Sequence, residues 1–396
     1  MQNFDFLIST RLIFGKGTHK QIGELVKPYG KKVLLHYGSS SIKKSGLYDE
    51  VINALKQSGL EVFELGGVLP NPRVSLIREG IALCKKEKID FILGVGGGSV
   101  IDSSKTIAGA AYYEGDVWEL VEDRTKQVPG GIPLGVILTI PAAGSETGGG
   151  AVITNEEKQI KTSFGNAYTR AKFAIINPEL FFTLPKNQIA NGVADMMSHI
   201  FERYFTTTDN TELTDGLCET ILRTIIHNGP VVYANPADYD AWCQLGFSAN
   251  LAHNGLLGLG RAQDWACHGM EHELSAIYDI AHGAGLAILT PNWMKYVYKE
   301  NMGMFLQFAV KVMGVDGSFR DPEAVILEGI ARLRALFNSL GLPSTLSEVG
   351  IDESKFELMA KKATGAQYGR ERAIGGIKKL SWQDVVEMMM FGATAV

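Results

Sequence analysis

The chain has 396 residues, 45% hydrophobic and 20% charged, with a formal net charge of −5. That length exceeds what one ordinary core supports, so two domains are expected, and the mild acidity gives no footing for nucleic acid or an acidic membrane as partner. Four scattered cysteines without a Cys-x-x-Cys pair, a start that lacks the grammar of a signal peptide and no apolar run of bilayer length together suggest a cytoplasmic protein with free thiols.

Residues 32–37 read as a strand and the Gly38-Ser-Ser-Ser41 run as a turn. A helical pattern follows over 47–59, a strand over 61–65 and a second helix over 74–86. Residues 91–95 form a continuous apolar run suited to a buried parallel strand, and 135–138 repeat it. Strands alternating with helices predict a parallel sheet covered by helices. After Asn177-Pro178 and Leu184-Pro185 the pattern shifts to helical spacing over 188–205, 212–228, 238–257, 262–275, 281–299, 300–313, 321–340 and 353–363. The expected division is an α/β domain over 1–187 and an all-helical domain over 188–396.

The run Gly94-Val-Gly-Gly-Gly-Ser-Val-Ile-Asp-Ser-Ser-Lys105 follows the strongest predicted strand and opens a helix. Glycines let backbone approach a phosphate, and helix-start N–H groups attract anions. Ser99 stands where a full Gly-x-Gly-x-x-Gly fingerprint has its last glycine, and no Gly-Lys-Ser/Thr of a P-loop follows. A bare strand-to-helix turn is the competing reading; three consecutive glycines tip the balance towards pyrophosphate. A second small-residue run, 139–150, also follows an apolar strand and reads as a flexible loop or as the other wall of a cofactor site.

Asp195 and His199 are four apart on a predicted helix, so a carboxylate and an imidazole share one face. His268 and His272 repeat that spacing, and His282 follows. One such pair is usually a surface accident, but four of the eight histidines fall in this constellation. One carboxylate with two or three imidazoles and an open position is a catalytic metal arrangement.

With both motifs in view the chain resembles the iron-containing (group III) alcohol dehydrogenases, in particular their butanol dehydrogenase and aldehyde-reductase branch. The resemblance covers nearly the whole chain. It is carried by Gly96-Gly-Gly-Ser99 with Asp102 and Lys105, Pro70-Asn71-Pro72, the 139–148 loop, Asp195-x3-His199 and His268-Gly-Met-Glu-His272. The family's usual Pro-His-Gly stands here as Ala281-His282-Gly283. The resemblance implies a Rossmann-like parallel-sheet dinucleotide domain and an all-helical metal domain. It implies Asp195, His199, His268 and His282 as ligands of one divalent metal, Fe²⁺ first and Zn²⁺ second, with His272 serving the substrate as a catalytic proton relay. It implies Gly97, Gly98 and Ser99, with Asp102, at the pyrophosphate side, and Asn71, Thr139, Ser145, Lys161 and Leu184 around the rest of the dinucleotide.

The expected activity is hydride transfer between NAD(P)H and a small alcohol or aldehyde, in a homodimer. Ser39 occupies the position where NAD-preferring relatives carry Asp, so NADP is favoured over NAD. Met196, Met197, Phe201 and Phe205, with few basic residues near the ligand helices, suggest a weakly polar substrate. They speak against the dehydroquinate-synthase-like lyases, which need convergent basic groups. The same motifs would also suit a glycerol-dehydrogenase-like enzyme or a noncatalytic metal- and nucleotide-binding module.

Overall fold

Eight strands occur in the structure, a computed structural model that describes residues 1–393. They are β1 (Arg11–Phe14), β2 (Lys32–Tyr37), β3 (Glu61–Leu65), β4 (Phe91–Gly96), β5 (Leu134–Leu138), β6 (Ala151–Asn155), β7 (Ile160–Phe164) and β8 (Phe173–Ile176). Six of them form one parallel sheet in the order β1-β8-β5-β4-β2-β3, and β6 and β7 pair as a separate antiparallel hairpin. β4 and β5 are buried along their whole length, which is why they read as unbroken apolar runs.

The helices Leu47–Gln57, Val74–Glu87 and Gly98–Ala110 accompany this sheet, and Val51 and Leu55 share a core with Leu35, Phe91 and Ile175. Strand order reverses at β2, which has β3 on one side and β4 on the other. In open parallel sheets the crevice beyond the strand carboxyl ends at such a reversal is the usual ligand site.

The unit containing this sheet comprises Leu7–Leu184 and Pro236–Gly246. The second stretch returns to it because Trp242 packs edge-on against Phe181, with ring centroids 5.4 Å apart. The other unit comprises Met1–Phe6, Pro185–Asn235 and everything from Phe247 onward. Its first residues are tied in by backbone: the Met1 ammonium donates to the Asp209 carbonyl at 2.9 Å, and Gln2 N–H to the Gly260 carbonyl at 2.7 Å. The expected cut at 187/188 compares with a change of unit at Leu184/Pro185, and neither unit is one continuous run.

The second unit is built on the buried helix Lys186–Tyr204, packed against Glu212–Ala234 and His282–Val297. An aromatic cluster anchors it, with Phe205 stacked on Phe305 at 4.4 Å and edge-on to Phe308 and Trp293. The helix predicted over 262–275 runs from Ala266 to Tyr278 instead. Trp265 takes a left-handed φ of 66°, and the Asp264 carboxylate caps the Ala266 N–H at 3.0 Å, so helical geometry starts only there. Strands β1, β6, β7 and β8 and the helix Trp382–Phe391 fall where the sequence pattern raised no expectation.

Candidate active site

Asp195 and His199 lie one turn apart on the Lys186–Tyr204 helix, with His199 Nε2 3.3 Å from Asp195 Oδ1. His268 sits in the first turn of Ala266–Tyr278, its Nε2 4.0 Å from the same oxygen, and His282 begins the His282–Val297 helix, with its Nε2 at 3.8 Å. Gly283 makes the last approach possible. A Cβ there would lie 2.2 Å from the Asn191 carbonyl oxygen and 2.6 Å from its Cα, so no other residue lets the two helices cross this closely. Asp195, His268 and His282 each offer a ligand atom within 4.8 Å of the other two. His199 borders this trio without belonging to it.

Two further carboxylates complete the cluster. Glu202 is two turns beyond Asp195 on the same helix face; its Oε1 accepts His268 Nδ1–H and the His268 backbone N–H, both at 2.9 Å, and its Oε2 accepts Trp265 N–H at 2.7 Å. It therefore satisfies N–H groups at the start of the Ala266–Tyr278 helix, where negative charge is favoured. Glu271, fully buried, accepts from His282 Nδ1 and from the Ser275 hydroxyl. Both residues were missed in the sequence, although Asp195, His199 and Glu202 fall on one face of the helix at spacings of four and three residues.

His199 has a different surrounding. Its ring lies 4.3 Å from that of His253 and 4.4 Å from that of His268, centroid to centroid, and Arg203 donates to its carbonyl at 2.5 Å. Burial first, then the neighbouring imidazoles and Arg203, hold it well below the usual imidazole range. His272 is partly exposed, its ring 6.0 Å from that of His282, outside the trio. Cys267 is buried and its thiol is pushed far up, a core residue. The four apolar residues that suggested a weakly polar pocket are core as well: Met196, Met197, Phe201 and Phe205 are at most 2% exposed, so their character reflects helix packing.

The expected cofactor residues gather in the α/β unit. Ser39 follows β2, Asn71 follows β3, Gly97, Gly98 and Ser99 follow β4, Thr139 and Ser145 follow β5, and Leu184 lies beyond β8. Because these strands are parallel, all of these loops leave from one edge of the sheet. Lys161 is buried on β7 of the hairpin, and Asn71 adopts a left-handed φ of 55°, which asparagine tolerates.

The three glycines have different reasons. A Cβ on Gly96 would meet Val100 at 2.4 Å, so the fold itself demands that glycine, whereas one on Gly97 would meet the Ile140 side chain at 3.0 Å, tight enough that the isoleucine would have to give way. On Gly98 the nearest atom, Ala143 Cβ, would be 3.6 Å away, an ordinary contact. Its bare backbone, at a helix N-terminus, fits an anionic ligand. Asp102 is committed internally: its oxygens accept the Ser145 hydroxyl at 2.5 Å and Val152 N–H at 2.8 Å.

Comparison with known proteins decides the family. A model of the iron-containing alcohol dehydrogenases matches residues 9–178, and one of the C-terminal region of the Fe-containing alcohol dehydrogenase family matches 189–389. The chain belongs to the iron-containing alcohol dehydrogenase family. Among its relatives is NADH-dependent butanol dehydrogenase A of Clostridium acetobutylicum, 45% identical over 98% of this chain and 99% of that one. The NADPH-dependent aldehyde reductase of Escherichia coli is 37% identical over 91% of this chain and 93% of its own. The crystal structure of NADH-dependent butanol dehydrogenase A from Thermotoga maritima, 41% identical, superposes with a TM-score of 0.95 over 100% of this chain and 99% of that one. As a member of this family the chain is an oxidoreductase. No helix among the described residues is long and apolar enough to cross a membrane.

The donor set fits the metal in the family's name. Asp195 supplies a hard anionic oxygen, and His268 Nε2 is buried without a hydrogen-bond partner, aimed at that oxygen.

Proposed function

We propose that the protein interconverts small primary alcohols and aldehydes, butanol and butanal being typical, with NAD(P)H, at one divalent metal held by Asp195, His199, His268 and His282. The observation that carries this is the convergence of Asp195, His268 and His282 on one point, in a chain 37–45% identical to enzymes named for butanol and aldehyde chemistry. When bound, the metal supplies Lewis acidity towards the substrate oxygen and the nicotinamide donates or accepts the hydride. Fe²⁺ is the first choice and Zn²⁺ the second.

The protein's own groups bind, orient and move protons. Asp195 is the single anion among the four donors. Gly97, Gly98 and Ser99 offer backbone N–H groups to the pyrophosphate. Ser39, Asn71, Thr139, Ser145, Lys161 and Leu184 border the rest of the dinucleotide, and Asp102 holds Ser145 and the hairpin in place for them. His272, partly open to solvent, takes up the alcohol proton during oxidation and returns it during reduction. The α/β stretch 1–187 serves the dinucleotide and 188–396 the metal.

Four unpaired cysteines support a reducing, cytoplasmic setting. A homodimer, the commonest assembly of soluble enzymes, completes the reading and is checked by sedimentation.

Metal content and turnover together test the site. His268→Ala loses both metal and NAD(P)H oxidation with butanal; a full metal equivalent with normal turnover would remove His268 from it. His272→Ala keeps the metal and lowers turnover by about 10²-fold or more, with an altered pH profile. Loss of metal in that variant would make His272 a ligand instead.

A further inference from the structure

The imidazoles around Asp195 are not equivalent. His268 and His282 each have Nδ1 against a carboxylate that is itself pinned: Glu202 by the Trp265 and His268 N–H groups, Glu271 by the Ser275 hydroxyl. Glu271 also has a seat made for it, since a Cβ on Gly285 would lie 2.8 Å from its Cγ. An ionised carboxylate only accepts, so the ring proton of each histidine resides on Nδ1 and the lone pair on Nε2 is turned to Asp195. His199 has no such support: its Nδ1 is buried without a hydrogen-bond partner. Its neighbours, His253 and Arg203, are engaged with each other, Arg203 Nη2 donating to His253 Nδ1 at 2.9 Å.

Resting on the metal reading above, we infer that Glu202 and Glu271 are positioning residues that preset His268 and His282 in the ligating tautomer. Asp195, His268 and His282 then form the tripod that captures the ion, and His199 is the auxiliary ligand whose loss is tolerated. Ligand atoms of Asp195, His268 and His282 all lie within 4.8 Å of one another, while His199 Nε2, 3.3 Å from Asp195 Oδ1, approaches that oxygen without a carboxylate behind its own ring.

The test is metal affinity, read by chelator competition on apoprotein titrated anaerobically with Fe²⁺, and in parallel with Zn²⁺. Glu271→Leu weakens binding about 10–100-fold, while Glu271→Gln, whose amide can turn either its oxygen or its NH2 to Nδ1 and so no longer dictates the tautomer, weakens it less. Glu202→Gln also weakens it. His199→Ala retains a metal equivalent with affinity reduced less than in His268→Ala or His282→Ala. Imidazole nitrogen NMR of the apoprotein shows two histidines held as the Nδ1–H tautomer, one of which becomes mixed in Glu271→Gln. That signature does not depend on the leucine variant folding.

Unchanged affinity in both Glu271 variants, an unchanged tautomer in Glu271→Gln, or a loss in His199→Ala as large as that in His268→Ala overturns the inference while leaving the metal site intact. Wild-type protein that takes up no divalent ion overturns the site itself.

Discussion

Lys105 Nζ donates to Ser145 Oγ at 2.8 Å, and this contact joins the helix of the glycine loop to the 139–150 loop. The same ammonium, fully buried, also donates to the Ser145 and Gly150 carbonyls. Burial outweighs the nearby Asp102 and Glu146 and lowers its pKa to about 8. Lys105→Met keeps the volume but leaves these acceptors without a donor, at about 1–3 kcal/mol each. Urea denaturation of that variant shows a lower midpoint, and its KM for the dinucleotide rises more than its kcat falls. A midpoint equal to wild type would mean that the lysine is not what joins the two loops.

A second prediction concerns acid. His36 lies at 0% exposure in β2, with Nδ1 donating to the Leu65 carbonyl at 2.7 Å and Nε2 accepting from Ser103 Oγ at 2.8 Å. Burial lowers its pKa to about 4. In the unfolded chain it returns to about 6.5, so between these values the unfolded state binds the extra proton. The stability is therefore full above pH 6.5 and falls as the pH drops towards 4, by roughly 2 kcal/mol at pH 5 from this one residue. Denaturation curves at pH 7 and pH 5 measure it, and His36→Gln flattens the difference. An equally steep pH dependence in that variant would place the effect elsewhere.

Gly283→Ala tests how the metal ligands are brought together. The added methyl meets the Asn191 backbone, which cannot rotate away as a side chain could. The His282–Val297 helix must retreat, and it carries His282 with it. Overpacking of this kind costs about 1–3 kcal/mol. The variant should melt lower and be purified with less than a metal equivalent. Full metal loading would show that the crossing has slack.

Cofactor choice can be read at Ser39. Ser39 and Ser40 are exposed beyond β2, and Lys43 stands over the rings of Tyr37 and Tyr48 at 5.2 and 4.7 Å. If Ser39 faces the ribose, as proposed, no acid there repels a 2′-phosphate, and steady-state kinetics should show NADPH used at least as well as NADH. Ser39→Asp should swing the ratio to NADH. A strong NADH preference in the wild type would show that this serine does not govern the choice.

Much of this architecture was legible where a segment carries its own periodicity. Lys32–Tyr37 and Glu61–Leu65 coincide with the runs read as strands, and the Asp195/His199 spacing lies on a helix. What escaped depends on distant partners. β8 has only four residues, and its apolar run makes sense only between β1 and β5. The β6–β7 hairpin is stitched to the glycine-loop helix by Asp102. Glu202 pairs with a histidine far along the chain, a relation no local pattern displays. The Trp382–Phe391 helix is the exception, since its capping box, Ser381 with Asp384, could have been read directly.

The interleaving of the two units bears on how the molecule is made. Chains emerge from the ribosome amino end first, and units generally fold as they are completed. Here Met1–Phe6 leave the ribosome before any of their partners, because Asp209 and Gly260 are synthesised far later. Phe181 must wait for Trp242, which is translated only after two long helices of the other unit. The core of the α/β unit, Ile22 to Ile175, is complete in sequence before Phe181, so only the cover supplied by Trp242 arrives late. A nascent chain arrested between Phe181 and Trp242 would carry all six strands of the sheet but leave Phe181 uncovered, open to chaperones and proteases.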